Sequence, residues 1–284
     1  MEKRVAVFSD IHGNNTAFQA IYEDSIRQGV DEYWFLGDLF SPGPGSDDLW
    51  QLFKQINPTI CVRGNWDDLL VKAVRGELKP IRSSLVYMAK LGQFVGRNLN
   101  TDIVNQIAAW PLAEETKIGR LKFGLSHNLP EINHGQELYP TAKQSGFDKL
   151  FANRKIDVAL YAHVHHPIMR YGIEEQLVLN PGSVGQPFND WGPLKEDLRA
   201  QYLILNIDDQ GLCGIEFRKI SYDRNHEFQI AQQKKIPYLN LYHDQMVNGI
   251  VHTHDHALLE KINDQYGYKN DVIAYNADHN ERKK

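Results

Sequence analysis

At 284 residues, with 42% hydrophobic and 24% charged side chains, the chain can bury a large core, as one α/β domain or a domain with an appendage, and disorder is excluded for most of it. The formal net charge of -5 offers no global field to a nucleic-acid backbone, which disfavours nucleic acid as a partner. The opening MEKRVAVFSD lacks the apolar length of a signal peptide and no run of about 18 apolar residues follows, so the expectation is a cytoplasmic protein with no membrane partner.

Residues 3–9, KRVAVFS, form a β-branched apolar run that reads as the first strand. Residues 14–29 then place Phe18, Ile21, Tyr22 and Ile26 at helical spacing, with Gly29 as the C-cap. A second strand is predicted at 31–37, a helix at 46–56 with Ser46 as N-cap, and a third strand at 59–64. This alternation implies parallel strands joined by right-handed crossovers. From 67 to 109 the pattern is helical, broken from Gly76 to Pro80; residues 114–127 predict a hairpin about Gly119 and Arg120, and 141–155 a short helix. Further strands are expected at 157–163, 168–174, 176–180, 200–207 and 214–220, the last two joined by a turn at 208–211. Cys61 and Cys213 sit in such apolar runs, so neither a disulfide framework nor a thiolate metal site is expected. An α/β half followed by a strand-rich half predicts two sheets packed face to face with helices outside, over residues 1–220, with a helical insert at about 67–111. Residues 221–284 read as a helical extension, polar through 267, with NADHNERKK at its end as a frayed tail.

Each of the first three strands runs into metal-competent side chains: Asp10 and His12, then Asp38, then Asn65 with Trp66 and Asp67 behind it. Asp10, Asp38 and Asn65 recur at nearly equal spacing, hence at the same place in successive βα units. Parallel strands would bring them to one edge, beyond the carboxyl ends, where open α/β sheets bind ligands. The strand-rich half adds FGLSH, ending at His127, and ALYAHVH, ending at His163 and His165; in an extended segment these two point the same way and His166 away. Singly, Asp-x-His after a strand is commonly a helix cap plus a surface histidine, and Gly-Asn a turn. Jointly, two carboxylates, one amide and four imidazoles are too many donors for one ion and suffice for two that share a bridging carboxylate, an arrangement used for hydrolysis at phosphorus. Such donors without thiolate favour manganese or iron, with zinc as the alternative.

DIHGN (10–14), GDL (37–39), GNWD (64–67), GLSH (124–127) and AHVHHP (162–167), followed by NPGSVGQP (180–187), resemble in order the motifs of the calcineurin-like metallophosphoesterase superfamily. The resemblance spans roughly residues 4–220 and implies a four-layer αββα sandwich of two mixed sheets flanked by helices. It implies one metal ion held by Asp10, His12, Asp38 and His165, and a second held by Asp38, Asn65, His127 and His163. Asp38 would be the bridge; Asp38, Asn65 and His127 would form the catalytic set, with both ions neutralising charge on the phosphoryl oxygens.

Two departures from the pattern bear on substrate. Ala162 replaces the usual glycine of the last motif, a small change. Trp66 stands where many members carry a histidine acting as general acid or transition-state stabiliser, and an indole transfers no proton at neutral pH. A departing alkoxide resembles hydroxide, whose conjugate acid has pKa ~15.7, whereas a departing phosphate has a second pKa of about 6 and needs little protonation. Small nucleotides with phosphate-like leaving groups are therefore the expected substrates, with His166, Asp67 or a water as stand-in acid. GDLFSPGPGSDD and NPGSVGQPFNDWG also resemble the bacterial phosphodiesterase branch that includes asymmetric diadenosine tetraphosphate hydrolases, which yield ATP and AMP. A broad-specificity or cyclic-nucleotide phosphodiesterase, a phosphoprotein phosphatase and a metal-free scaffold are the alternatives, in falling order. Asn14, Trp66, Asp67, Tyr139, His166, Phe188 and Trp191 are the candidate substrate contacts, Trp66 reading equally as a packing residue. HTHDH (252–256) reads as a helix start capped by Thr253 or Asp255, and Arg63 as facing either a phosphate or a salt-bridge partner.

Overall fold

The computed structural model describes residues 2–152 and 154–282. Alternation along the first strand, β1 (Lys3–Phe8), already divides two cores: Val5 and Val7 turn to one face, Ala6 and Phe8 to the other, and all four are buried. Helix α1 (Asn15–Arg27) leads to β2 (Glu32–Phe35), and α2 (Asp47–Ile56) to β3 (Ile60–Cys61). β1 pairs in parallel with β2 and β2 with β3, while β9 (Ala200–Ile207) and β10 (Leu212–Ile220) close the other side antiparallel, in the order β10-β9-β1-β2-β3. The second sheet is built from β4 (Ala113–Ile118), β5 (Leu121–Ser126), β6 (Val158–Leu160), β7 (Pro167–Tyr171) and β8 (Leu177–Pro181), in the order β4-β5-β6-β8-β7.

Between the sheets, Val5, Val7, Trp34 and Leu36 meet Phe123, Leu125, Leu160 and Leu179. Ala6, Phe8 and Phe35 instead face Phe18, Ile21, Leu49 and Phe53 of α1 and α2. On the far side, Ala159, Tyr161 and Val178 pack on Phe147, Leu150 and Phe151, carried by α6 (Gln144–Asp148) and the 3-10 turn after it. The outcome is the four-layer αββα arrangement of two mixed sheets, each buried large side chain contributing about 1.5–3 kcal/mol.

The insert holds α3 (Asn65–Val74), α4 (Ser83–Gly96) and α5 (Thr101–Ala109). A second break, before α5, was not expected: Asn100 Oδ1 accepts from Asp102 N–H at 3.0 Å and starts a new helix. The predicted helix at 141–155 shrinks to α6 and the 3-10 turn, and Asn153 lies outside the described residues. Ser46 occupies the N-cap position of α2 without capping it; Asp48 Oδ1 accepts the Ser46 N–H instead, at 3.0 Å. Beyond a short α7 (Gly192–Lys195), the extension forms α8 (Arg224–Lys234), α9 (Leu239–Asn248), α10 (His256–Tyr266) and α11 (Tyr268–Arg282). The segment from Asn276 to Arg282 is thus helical rather than frayed; Lys283 and Lys284 lie outside the described residues. Tertiary contacts supply the reason: Val272 is buried against Ala73, Leu78, Val86 and Ala89, and Asn276 Nδ2 donates to Leu78 O at 3.0 Å. Asp255 caps α10 by accepting from Leu258 N–H at 3.1 Å, and His252 Nε2 lies 2.5 Å from Asp244. Cys61 and Cys213 are unbridged, and no helix among the described residues is long and apolar enough to cross a membrane.

One partly buried ion pair ties α1 to the sheet beneath it. Arg218 donates to Asp24 through Nε at 2.7 Å and Nη2 at 3.2 Å, and Tyr202 Oη donates at 2.6 Å. Burial opposes the Asp24 charge, but Arg218 and Tyr202 outweigh it and hold the carboxyl below its ordinary range. A depressed carboxylate pKa contributes stability that is present above the unfolded value, about 3.9, and lost as pH falls through the folded one. Asp24→Asn is therefore expected to lower the thermal midpoint at neutral pH, with the gap from wild type closing below about pH 4. Midpoints that stay parallel down to pH 3 would contradict the assignment.

Candidate metal centre

The loops leaving the carboxyl ends of β1, β2, β3, β5 and β6 meet at one edge of the sandwich. Backbone bonds lace the first two together: Asp10 N–H donates to Gly37 O at 2.9 Å and His12 N–H to Asp38 O at 3.1 Å. The approach leaves no room for side chains, since a Cβ on Gly64 would stand 2.0 Å from Asp38 Oδ1. Asp10, His12, Asp38, His163 and His165 all take left-handed backbone, with φ of 53, 51, 63, 66 and 54°. Non-glycine residues seldom adopt that region, and such strain persists where the surrounding structure over-determines a functional site.

Backbone carbonyls set the ring orientations. The Nδ1 atoms of His12, His127 and His165 lie 2.7, 2.6 and 2.6 Å from the carbonyls of Ser41, Leu36 and Gln186. A ring that gives its Nδ1–H to a carbonyl presents the Nε2 lone pair inward, as metal-binding histidines do. His12 Nε2 and His165 Nε2 are 3.2 Å apart, and Asp10 Oδ1, buried, lies 3.1 Å from His165 Nε2 and 3.7 Å from His12 Nε2. Electron pairs so close repel unless a cation or a proton lies between them. Across the site, His127 Nε2 stands 3.1 Å from Asn65 Oδ1 and 3.3 Å from Asp38 Oδ2. Asp38 Oδ1 accepts from Trp66 N–H at 2.8 Å, leaving Oδ2 toward the centre, 3.8 Å from His12 Nε2. Two donor groups result, Asp10 with His12 and His165, and Asp10 with Asp38 and His127, each with ligand atoms within 4.8 Å of one another. The His163 ring lies 5.3 Å from that of His127. This set fits hard or borderline cations.

The buried imidazoles and carboxyls of the centre shift one another's protonation. Burial lowers His12 to about 4 against the pull of Asp38, and burial together with His127 lowers His163 to about 3. In His127 burial also opposes charge, but Asp38 and Asp10 outweigh it and raise the ring to about 10; Asp10 raises His165 likewise. Burial resists the charge on Asp10 and Asp38 too, and the neighbouring imidazoles prevail and hold both carboxyls low.

The sequence profile of the Calcineurin-like phosphoesterase superfamily domain matches residues 4–210. The chain belongs to the calcineurin-like phosphoesterase superfamily. It is 24% identical over 258 residues to an uncharacterized protein of Methanocaldococcus jannaschii, spanning 84% of this chain and 95% of that one. In fold it is similar to a hypothetical protein of Pyrococcus horikoshii, with TM-score 0.71, 18% identity and coverage of 87% and 98% of the two chains. A metallophosphoesterase from Sphaerobacter thermophilus gives 0.67, 21% identity, and 87% and 100%. Membership in this superfamily makes the chain a metallophosphoesterase-type hydrolase, with Asp10, His12, Asp38, His127 and His165 as candidate metal ligands.

In this phosphoesterase-superfamily member the residues expected as ligands, Asp10, His12, Asp38, Asn65, His127, His163 and His165, share one edge, but not all for the expected reason. β6 ends at Leu160, so His163 and His165 are not alternating positions of a strand; left-handed turns aim them. Two candidate substrate contacts are engaged in hydrogen bonds of the fold. Asn14 Oδ1 caps α1 by accepting from Ala17 N–H at 3.0 Å, and its Nδ2 donates to Tyr222 Oη at 3.1 Å. Asp67, 1% exposed, accepts from the amides of Asp38, Gly64 and Leu39 at 2.9, 2.8 and 3.1 Å, so its carboxylate braces the two loops from within the protein. Burial and Asp38 push its carboxyl up to about 7 despite those amides. Phe188 lies beside the centre, its ring 5.6 Å from His165 and 5.0 Å from His166. Trp191 is 71% exposed and Tyr139 39%, and neither has a ring contact with a ligand residue among the described residues. Arg63 has the salt bridge, to Asp68 at 2.7 Å, and donates to Trp110 O at 3.1 Å. The carbonyls of Leu36, Ser41 and Gln186 were missed because backbone acceptors carry no side-chain pattern. The brace made by Asp67 had a signal, an acid three residues after Gly64 at a helix start.

Proposed function

We propose that the protein hydrolyses phosphoanhydride or phosphodiester bonds of small nucleotides with two divalent ions, diadenosine tetraphosphate to ATP and AMP foremost. Trp66 carries the reading. Its indole stands edge-on to the His12 ring, centroids 5.7 Å apart, where the resemblance places a proton-donating histidine. A site without that donor suits leaving groups that depart as phosphates, with a second pKa of about 6. Asp10, His12, Asp38 and His165 would hold one ion, and Asp38, Asn65, His127 and His163 the other. Bound there, the ions would supply charge neutralisation at the phosphoryl oxygens and an activated water. The protein's own residues keep the geometry: the Leu36, Ser41 and Gln186 carbonyls hold the rings with Nε2 inward, and Trp66 N–H fixes Asp38. Trp66 and Phe188 give the centre apolar flanks on which a base stacks. A small nucleotide as partner and a cytoplasmic setting belong to the same proposal.

A broad-specificity phosphodiesterase is the second reading, favoured by His166, whose Nδ1 lies 2.5 Å from Val164 O, which leaves Nε2 for a leaving oxygen. Chromatography of the products from diadenosine tetraphosphate and Mn²⁺ separates the two. Equal ATP and AMP, absent with Asp38→Ala, is the expected result. No cleavage, with aryl phosphodiesters still hydrolysed, would overturn the first reading in favour of the second.

A further inference from the structure

Each sheet supplies part of the centre. The segments after β1, β2 and β3 carry Asp10, His12, Asp38 and Asn65, and those after β5 and β6 carry His127, His163 and His165. Asp10 and His165 therefore meet across the gap between the sheets, with Oδ1 and Nε2 3.1 Å apart. Apolar packing between sheets is non-directional, so holding two such side chains at a fixed separation calls for directional bonds.

The stretch NPGSVGQP supplies them as the chain leaves β8 of one sheet for β9 of the other. Asn180, buried, ties it to the histidine loop: Nδ2 donates to Ala162 O and Oδ1 accepts from Gly182 N–H, both at 2.9 Å. Val184 N–H then donates to Ser9 O at 3.1 Å and Gly185 N–H to Asp10 O at 3.0 Å. A Cβ on Gly185 would stand 1.9 Å from Ile11 O, so the two backbones touch. Between these contacts lies Ser183, fully buried. Its Oγ donates to Asp10 O at 2.9 Å and accepts from Gln186 N–H at 2.9 Å, and Gln186 O lies 2.6 Å from His165 Nδ1. One hydroxyl thus stands in a continuous chain of hydrogen bonds from the Asp10 backbone to the His165 ring. It uses its donor and an acceptor at once, which a methyl group cannot replace.

We propose that Ser183 is a positioning residue that sets the separation of Asp10 and His165, and with it the affinity of the centre for the ion these two share with His12. This rests on the two-ion reading above. Ser183→Ala removes the hydroxyl, and Ser183→Cys leaves a weaker donor and acceptor in its place, which carries the test if the alanine variant does not fold. Val184→Ala trims a buried apolar side chain of the same loop and is the control for loosening alone. Metal-depleted protein titrated with Mn²⁺, followed by calorimetry and electron paramagnetic resonance, reads the affinity for each ion and the coupling between them. Ser183→Ala is expected to weaken one of the two ions about ten- to a hundredfold. At Mn²⁺ concentrations that saturate the wild type, the spectrum of exchange-coupled neighbours should give way to that of an isolated ion, with Ser183→Cys in between. Val184→Ala should lower the thermal midpoint at least as much and still bind both ions as the wild type does. Wild-type affinity and coupling in the Ser183 variants, or equal losses in the Val184 control, would overturn the assignment and leave Ser183 a packing residue of the loop. A wild type that takes up a single ion would sink the two-ion reading alone, and the affinity of that ion with and without the hydroxyl would still decide the role of Ser183.

Discussion

Replacing Asp38 with alanine is expected to lower turnover by on the order of 10³-fold or more and to strip the chain of bound metal, because the charge that holds the ions also positions them. Asp38 Oδ2 is 3.3 Å from His127 Nε2 and 3.8 Å from His12 Nε2, so it lies between the two imidazole groups, whereas Asp10 Oδ1 leans to His165 at 3.1 Å. Without Asp38, His127 would face Asn65 with only Asp10, 4.0 Å away, to attract a second ion. The substitution also orphans the Trp66 N–H, which Asp38 Oδ1 accepts at 2.8 Å. Asp38→Asn separates these effects, retaining an acceptor for Trp66 while removing the charge, and should lose metal almost as fully with less loss of thermal stability. Metal content by mass spectrometry, set against activity in the same preparation, decides the matter. Two ions per chain with wild-type turnover in Asp38→Ala would refute the bridging role.

What could be read from the sequence depended on whether a signal was local. Asp10, Asp38 and Asn65 were legible because the βα repeat places successive strand ends at one edge, and that edge is a property of topology rather than of packing. His163 and His165 were found by their spacing, yet the extended backbone used to orient them is absent, since a left-handed turn leaves no mark that a run of residue types displays. The hydrogen bonds of Asn14 and Asp67 were not legible for a related reason. Their neighbours in sequence suggested a substrate, while the groups that claim them are backbone amides and a tyrosine brought in by the fold. The end of α11 failed similarly: NADHNER has little apolar content, and its order comes from Val272 and Asn276 docking on the insert.

Asp67→Ala should be the most destabilising change near the site, and it should empty the metal centre without touching a ligand. Its two oxygens accept from the amides of Asp38, Gly64 and Leu39, which belong to the loops after β2 and β3. Losing them leaves three buried donors unmet at about 1–3 kcal/mol each, a total of roughly 3 kcal/mol or more, large against a typical stability of about 5–15 kcal/mol. The same bonds fix the peptide of Asp38, a left-handed residue with φ of 63° that relaxes once the brace is gone. Asp67→Asn keeps one acceptor but turns an NH₂ toward an amide, so it should fall between alanine and wild type in both metal content and thermal midpoint. A rise in KM for Mn²⁺ that tracks the loss of midpoint across the two variants is the expected pattern. Full metal occupancy in Asp67→Ala at a temperature where the variant is folded would show that Asp67 supports the loops without setting the position of Asp38.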